Sequence, residues 1–171
     1  MLTKTTIEEL KQIPLFSQLA VDELRYLVQN LEEREYKKNE VIYKETEVPG
    51  IFYVVQRGSV EITKKTPSGH RQVIATIPAG QFFGELSFLV SRRHASRAKG
   101  TADGRLLLMH RFVYDEMEKQ QPPLVHKLLR EIILKISFNL DAMNDMFLQT
   151  INYTFYGGGK AGKIEEPGQE D

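Results

Sequence analysis

Cysteine is absent from this chain of 171 residues. Without cysteine the protein has no disulfide bond, no thiolate metal site and no cysteine nucleophile. The histidines do not supply a metal site in its place, because no two of them lie at the helical i, i+4 spacing or the short loop spacing that shared coordination usually needs. The four histidines are His70, His94, His110 and His126. The composition therefore gives no indication of a thiol enzyme or a metalloenzyme.

An excess of charge is also missing, since 23 basic residues balance 23 acidic ones. No long-range field then attracts the chain to nucleic acid or to an anionic membrane, and any anion site has to be local. No apolar run approaches the roughly 18 residues of a membrane span, and the N-terminal segment lacks the apolar core of a signal peptide. These features predict a cytoplasmic protein without a membrane segment.

The residues that are present change in pattern along the chain. Apolar residues recur at helical spacing over residues 5–33, which predicts two short helices separated at Pro14. Over residues 40–111, short runs rich in β-branched and aromatic residues alternate with glycine and proline, and we predict about eight strands there. Residues 112–121 become helical again. The predicted fold class is mainly β with flanking α: a β-roll, similar to a jelly-roll barrel, with N-terminal helices and a long C-terminal helix.

The long C-terminal helix is predicted over about residues 124–151. The preceding pair, Pro122 and Pro123, suits the first turn of a helix, where a missing amide proton does no harm. With this helix the predicted domain covers residues 1–156. Residues 157–171 are rich in glycine and charge and contain one aliphatic side chain, so they cannot bury enough surface to offset their ordering entropy. We predict that this tail is disordered.

An apolar stripe follows the long helix in steps of four and three residues, which is the spacing of a helix seam. Its members are Leu129, Ile133, Ile136, Leu140, Met143 and Phe147. Neighbouring apolar residues make the stripe wider than a two-stranded coiled coil needs; they are Leu128, Ile132 and Met146. One side can cover the domain while the other meets a second subunit, and we predict a homodimer through this helix. The alternative is that the whole stripe packs within its own chain.

Several short motifs occur in the order found in one known family. They are IPLFS from Ile13, VIYKE from Val41, FYVV from Phe52, GSV from Gly58 and GQFFGELSFL from Gly80. In this order and spacing the motifs resemble the cyclic-nucleotide-binding domain, which is found in catabolite activator proteins, kinase regulatory subunits and gated channels. The last motif looks like the start of that family's phosphate-binding cassette.

The cassette-like motif also suits an anion on physical grounds. A glycine lets backbone amides approach an anion closely, and a short helical turn that begins there directs unpaired amide protons at a phosphate. The resemblance implies that Glu85 accepts a hydrogen bond from a ribose 2′-hydroxyl; considered alone, Glu85 is also a helix-start carboxylate stabilised by the macrodipole. The candidate ligand-binding residues are Phe83, Gly84, Glu85, Leu86, Ser87, Arg92, Arg93, His94, Ala95 and Ser96.

One cassette position departs from the family pattern, because His94 stands where the resemblance implies an arginine on the cyclic phosphate. A guanidinium is always charged and bonds two phosphate oxygens, whereas histidine offers one donor and is mostly neutral near pH 7. We expect this loss to weaken phosphate binding by about 10²- to 10³-fold. If the loop is shifted by two residues, Arg92 or Arg93 would reach the phosphate instead, and Arg97 is a third candidate for this role. The alternative is that these basic residues form a solvated surface loop, which is the more common case. Thr46 replaces a family glycine, so we expect a reshaped turn there.

Two functions are compatible with these features. The first is a non-enzymatic regulatory module that senses cAMP or cGMP, weakly because of His94. The second is a degenerate, ligand-free module of the same fold that serves dimerisation or the docking of an unidentified protein partner. Direct DNA binding is not expected, because about 20 polar residues after the long helix are too few for a helix-turn-helix. No nucleophile or metal motif indicates an enzyme, and no cofactor is expected beyond the candidate cyclic nucleotide.

Overall fold

A computed structural model of the chain describes residues 5–156. Two short helices come first, α1 (Ile7–Lys11) and α2 (Val21–Asn30), with a 3-10 turn at Pro14–Phe16 between them. A reciprocal cap starts α1: the Thr6 hydroxyl accepts a hydrogen bond from the Glu9 amide at 3.2 Å, and the Glu9 carboxylate accepts one from the Thr6 amide at 2.8 Å. The prediction of two N-terminal helices is confirmed.

Eight strands lie within the described residues and pair into two four-stranded antiparallel sheets. One sheet has the order β1-β8-β3-β6 and the other β2-β7-β4-β5. The predicted fold class, a β-roll flanked by helices, is confirmed. The strands are β1 (Glu32–Tyr36), β2 (Val41–Tyr43), β3 (Ile51–Arg57), β4 (Ser59–Lys65), β5 (Arg71–Pro78), β6 (Phe82–Phe83), β7 (Arg97–Gly100) and β8 (Gly104–His110).

The first strand, β1, starts earlier than the sequence pattern indicated, so the predicted start of the β region at residue 40 is wrong. Its sequence, EEREY, has no alternation of apolar and polar residues. The strand forms because its backbone pairs with β8 along its whole length, from Glu32 opposite Leu108 to Tyr36 opposite Gly104. Its side chains did not indicate it, because three of the five are charged carboxylates that remain at least partly exposed.

Tyr36 joins the two sheets at one end of the roll. It is 1% exposed, and its hydroxyl lies within hydrogen-bonding distance of the carbonyl oxygens of Arg57 at 3.2 Å and Ser59 at 3.3 Å. Glycines make room for this ring: a Cβ atom at Gly104 would lie 2.3 Å from the Tyr36 hydroxyl, and one at Gly100 would lie 2.6 Å from its Cδ2. Both positions therefore exclude any larger residue.

Two helices complete the described chain, α4 (Arg111–Gln120) and α5 (Pro122–Tyr156). The predicted long helix is present and extends further at both ends than the expected 124–151. Its first turns bury apolar side chains, and Lys127 contacts the Glu23 carboxylate of α2 at 2.7 Å. The buried side chains are Leu124, Val125, Leu128 and Ile132. No described helix is both long enough and apolar enough to cross a membrane.

The described residues up to Ile132 form one compact unit, and those from Ile133 onward form a second. The predicted domain limits of 1–156 therefore stay a prediction. The predicted disordered tail, 157–171, lies outside the described residues.

Candidate ligand site

The cassette begins where β6 ends. Gly84 has a φ of 83°, in the left-handed region, and it leads directly into the short helix α3 (Glu85–Leu89). A Cβ atom at Gly84 would lie 3.1 Å from Cδ2 of Tyr53, so this position needs glycine for both its conformation and its close packing. No side chain caps the first turn of α3. The helical turn that was predicted to begin at this glycine is thus confirmed.

Glu85 is the buried carboxylate of the cassette. The residue is 9% exposed, and among residues 5–156 its side chain has no hydrogen-bond or ion-pair partner. Burial raises the pKa of the Tyr43 hydroxyl, a side-chain hydrogen bond with Ser96 opposes the shift, and the negative charge of Glu85 adds to it. Glu85, Ser96 and Tyr43 therefore lie in one neighbourhood. The Glu85 oxygens keep some contact with solvent, because the only described side-chain atoms that are fully buried without a partner are Gln56 Oε1 and Arg97 Nε. A carboxylate in a mostly buried residue that is still reachable from solvent and has no protein partner suits a ligand hydroxyl.

His94 lies against Tyr43 in the same neighbourhood. The two rings are stacked, with centroids 3.8 Å apart and planes 10° from parallel. His94 is 5% exposed, its amide donates to the Glu47 carbonyl at 3.1 Å, and its own carbonyl accepts from the Thr46 amide at 2.8 Å. Burial lowers the pKa of His94, and the nearby charge of Glu47 opposes this only in part. His94 is therefore a neutral, packed ring near pH 7.

Thr46 keeps the left-handed backbone that was expected to be lost, with a φ of 69°. The expectation of a reshaped turn is wrong. Two bonds hold this conformation: the Thr46 amide donates to the His94 carbonyl, and the Thr46 carbonyl accepts from Nη1 of Arg93 at 2.7 Å. The contacts with the cassette loop therefore outweigh the steric cost of a β-branched residue at positive φ.

Tyr43 is a member of the site that sequence reasoning did not single out. Ring contacts join it to Tyr53 at 5.7 Å and to Phe83 at 6.0 Å, and Tyr53 stacks on Phe83 at 4.9 Å. The pairing of β2 with β7 shifts between Val41 and Tyr43. Consecutive residues Ile42 and Tyr43 are both buried, at 7% and 5% exposure. An aromatic residue next to a buried aliphatic one in a short strand was the available signal.

The basic residues of the cassette loop lie outside this neighbourhood. Arg92 and Arg93 are exposed; Arg93 bonds the Thr46 carbonyl, and within residues 5–156 the Arg92 side chain has no partner. Arg97 instead lines a separate cavity of about 460 Å³ with Lys65 and Arg71, and neither Glu85 nor His94 lines it.

The predicted ligand-binding residues thus separate into two groups. Phe83, Glu85, His94 and Ser96 surround Tyr43, next to the backbone of Gly84. Of the others, Ser87 is half-buried, and the remaining four are exposed: Leu86, Arg92, Arg93 and Ala95.

Comparisons with known proteins identify the family that the chain resembles. Residues 33–117 match the family model of the cyclic nucleotide-binding domain. The chain is 32% identical over 100 residues to a cAMP-dependent protein kinase regulatory subunit of Mycosarcoma maydis. The aligned residues cover 57% of this chain and 19% of that protein. The chain is also 26% identical over 119 residues to the cyclic AMP receptor protein of Thermus thermophilus. This alignment covers 70% of this chain and 55% of that protein.

The solved structures show the same fold. A cyclic nucleotide-binding domain from Methylobacillus flagellatus superposes with a TM-score of 0.75 at 18% identity, over 93% of this chain and 84% of that one. The family model and these relatives establish that the chain belongs to the cyclic nucleotide-binding domain family. The chain spans less than two thirds of the length of the curated relatives named here.

Proposed function

We propose that this chain is a non-enzymatic regulatory module that senses a cyclic nucleotide, cAMP or cGMP, through the cassette around Glu85. The observation that carries the proposal is the carboxylate of Glu85, a residue 9% exposed, which has no hydrogen-bond or ion-pair partner among the described residues. A ribose hydroxyl supplies the donor that this acceptor lacks, and a charge-assisted hydrogen bond of this kind contributes about 1.5–3 kcal/mol. The membership of residues 33–117 in the family supports the same ligand class.

We propose further that the binding is weak because no guanidinium serves the phosphate. His94 is stacked on Tyr43 and neutral, and Arg93 is occupied by the Thr46 carbonyl. The absence of a bidentate, charge-assisted contact corresponds to about 10²- to 10³-fold in affinity.

Isothermal titration with cAMP and cGMP tests this function. We expect weak binding by the natural sequence and a gain of tenfold or more, at about 1.4 kcal/mol per tenfold, in His94→Arg. Adding Glu85→Gln to that variant should remove most of the gain in binding, because the amide carries no charge for the ribose hydroxyl. Arg92→Ala is the matched control for charge in the same loop and should change nothing.

Two outcomes count against weak cyclic-nucleotide sensing. Tight native binding that depends on none of Arg92, Arg93 or Arg97 would show the argument about charge to be wrong. Absence of binding in both the natural protein and His94→Arg would favour the second function, a ligand-free module for dimerisation or docking of a protein partner.

We also propose that the chain forms a homodimer through the stripe on α5. Four members of the predicted seam are exposed: Ile133 at 60%, Leu140 at 49%, Met143 at 58% and Phe147 at 63%. Full burial of each of these side chains contributes about 1.5–3 kcal/mol of favourable free energy. This gain favours pairing of α5 with the same helix of a second copy of the chain.

Sedimentation velocity tests the dimer. Leu140→Glu places a charge in the stripe and should give a monomer, whereas Gln149→Glu, on the opposite side of the helix, should leave the dimer intact. A natural protein that sediments as a monomer at tens of micromolar would contradict the proposal.

A further inference from the structure

We propose that the cassette prefers an uncharged nucleoside, adenosine or guanosine, to the corresponding cyclic nucleotide. This inference rests on the proposed use of Glu85 for a ribose-bearing ligand, and it concerns which ligands of that class bind best. The arrangement that carries it is the carboxylate of the buried residue Glu85 near Tyr43, on which His94 is stacked, with no ion-pair partner for Glu85 among the described residues.

Two of the three arginines of the cassette loop, Arg93 and Arg97, are engaged away from Glu85. Nη1 of Arg93 donates to the Thr46 carbonyl at 2.7 Å, and Arg92 is exposed. Arg97 lines the separate cavity with Lys65 and Arg71. Arg93 would therefore have to break a contact to reach the cassette, and exposed Arg92 makes no contact within the described residues that would hold it against a phosphate.

The remaining charges that act on the aromatic neighbours are mostly negative. Glu85 acts on Tyr43, and Glu47 acts on both His94 and Tyr53. Arg34 is the cation whose charge reaches Tyr53, and it is already paired with Glu40 at 2.7 Å. A ligand with a negative charge thus meets repulsion from Glu85 and Glu47, and Arg34, the cation that acts on these rings, is not free to offset it.

His94 is held in a form that does not serve an anion. Its ring lies flat on Tyr43, and both of its backbone groups are bonded to the turn at Thr46 and Glu47. Burial lowers its pKa, so the ring stays neutral near pH 7. A cyclic phosphate therefore loses its water without gaining a charged partner, whereas a nucleoside has no charge to desolvate.

Nucleosides and cyclic nucleotides share the ribose 2′-hydroxyl, from which Glu85 is proposed to accept a hydrogen bond. They differ in the phosphate, whose negative charge loses water without gaining a charged partner, at a cost of about tenfold or more in affinity. We therefore expect adenosine to bind at least about tenfold more tightly than cAMP, and guanosine similarly more tightly than cGMP.

The experiment is isothermal titration of the full chain with adenosine, guanosine, cAMP and cGMP in one buffer. The natural protein should bind each nucleoside about tenfold more tightly than its cyclic nucleotide. The order should reverse in His94→Arg, whereas Lys38→Ala, at an exposed turn outside the site, should keep the natural order. 2′-Deoxyadenosine should bind about tenfold more weakly than adenosine, because it lacks the donor for Glu85.

A second measurement needs no variant and stays informative if His94→Arg does not fold. Raising the ionic strength screens repulsion from Glu85 and Glu47, so cAMP affinity should rise or hold while adenosine affinity stays constant. A steep fall in cAMP affinity with salt would show an attractive cation at the site and would overturn the inference.

The outcomes separate this inference from the proposed function. If the natural protein binds cAMP as tightly as adenosine or more tightly, the preference for nucleosides is wrong and cyclic-nucleotide sensing stands. If His94→Arg binds cAMP while the natural protein binds no nucleoside, the inference alone is overturned. If neither protein binds a nucleoside or a cyclic nucleotide, both fall together.

Discussion

Replacing Thr46 by glycine should stabilise the protein. Thr46 is β-branched and has a φ of 69°, in a region that glycine adopts without steric cost. The left-handed conformation costs an L-residue about 1–2 kcal/mol, and the greater freedom of glycine in the unfolded chain offsets about 0.4–1 kcal/mol of the gain. We therefore expect Thr46→Gly to raise the free energy of unfolding by about 0.5–1 kcal/mol.

The structure indicates little loss elsewhere in this variant. Both hydrogen bonds of Thr46 are made by its backbone, through its amide to the His94 carbonyl and through its carbonyl to Arg93, so glycine keeps them. The Thr46 side chain is exposed and buries little surface. The relief of backbone strain is therefore the main effect of the change.

Equilibrium unfolding in urea at neutral pH measures the effect as a higher midpoint at an unchanged slope. Lys38→Gly is the matched control, because Lys38 is an exposed turn residue whose φ is not positive. Because Lys38 has no backbone strain to relieve, Lys38→Gly should lower the free energy of unfolding by about 0.5–1 kcal/mol. If Thr46→Gly loses as much stability as Lys38→Gly, the reasoning from strain is refuted.

Two further predictions concern stability. Gly104→Ala places a Cβ 2.2 Å from the Arg57 carbonyl oxygen and 2.3 Å from the Tyr36 hydroxyl, so it should cost about 1–3 kcal/mol in urea unfolding, whereas Gly50→Ala, with nothing within 4 Å, should stay near neutral. The pKa of His94 is lower in the folded protein, so as the pH falls the unfolded chain binds a proton at His94 before the folded protein does. The stability that neutral His94 contributes above about pH 6.5 should therefore be lost as the pH falls through the folded pKa. His94→Gln should flatten that part of the pH profile; an equally steep profile would contradict the assignment.

The sequence by itself determined the fold class and the position of the cassette. Runs such as IFYVVQ from Ile51 and RLLLMH from Arg105 are apolar and β-branched enough to predict β3 and β8, which the structure buries. The motif around Gly84 predicted the helical turn that begins at Glu85, and the structure adds that Gly84 is left-handed, a conformation that glycine reaches most easily. The stripe on α5 was also visible, since helical spacing is a local property of the chain.

Only the tertiary structure decided the remaining features of the site. The left-handed Thr46 depends on bonds to Arg93 and His94, which lie more than forty residues away in the chain. The stack of His94 on Tyr43 joins residues that lie far apart in the chain, and β1 depends on pairing with β8. The physical reason is the same for all three: their free energy comes from contacts between distant segments, and no local pattern of residue types specifies those contacts.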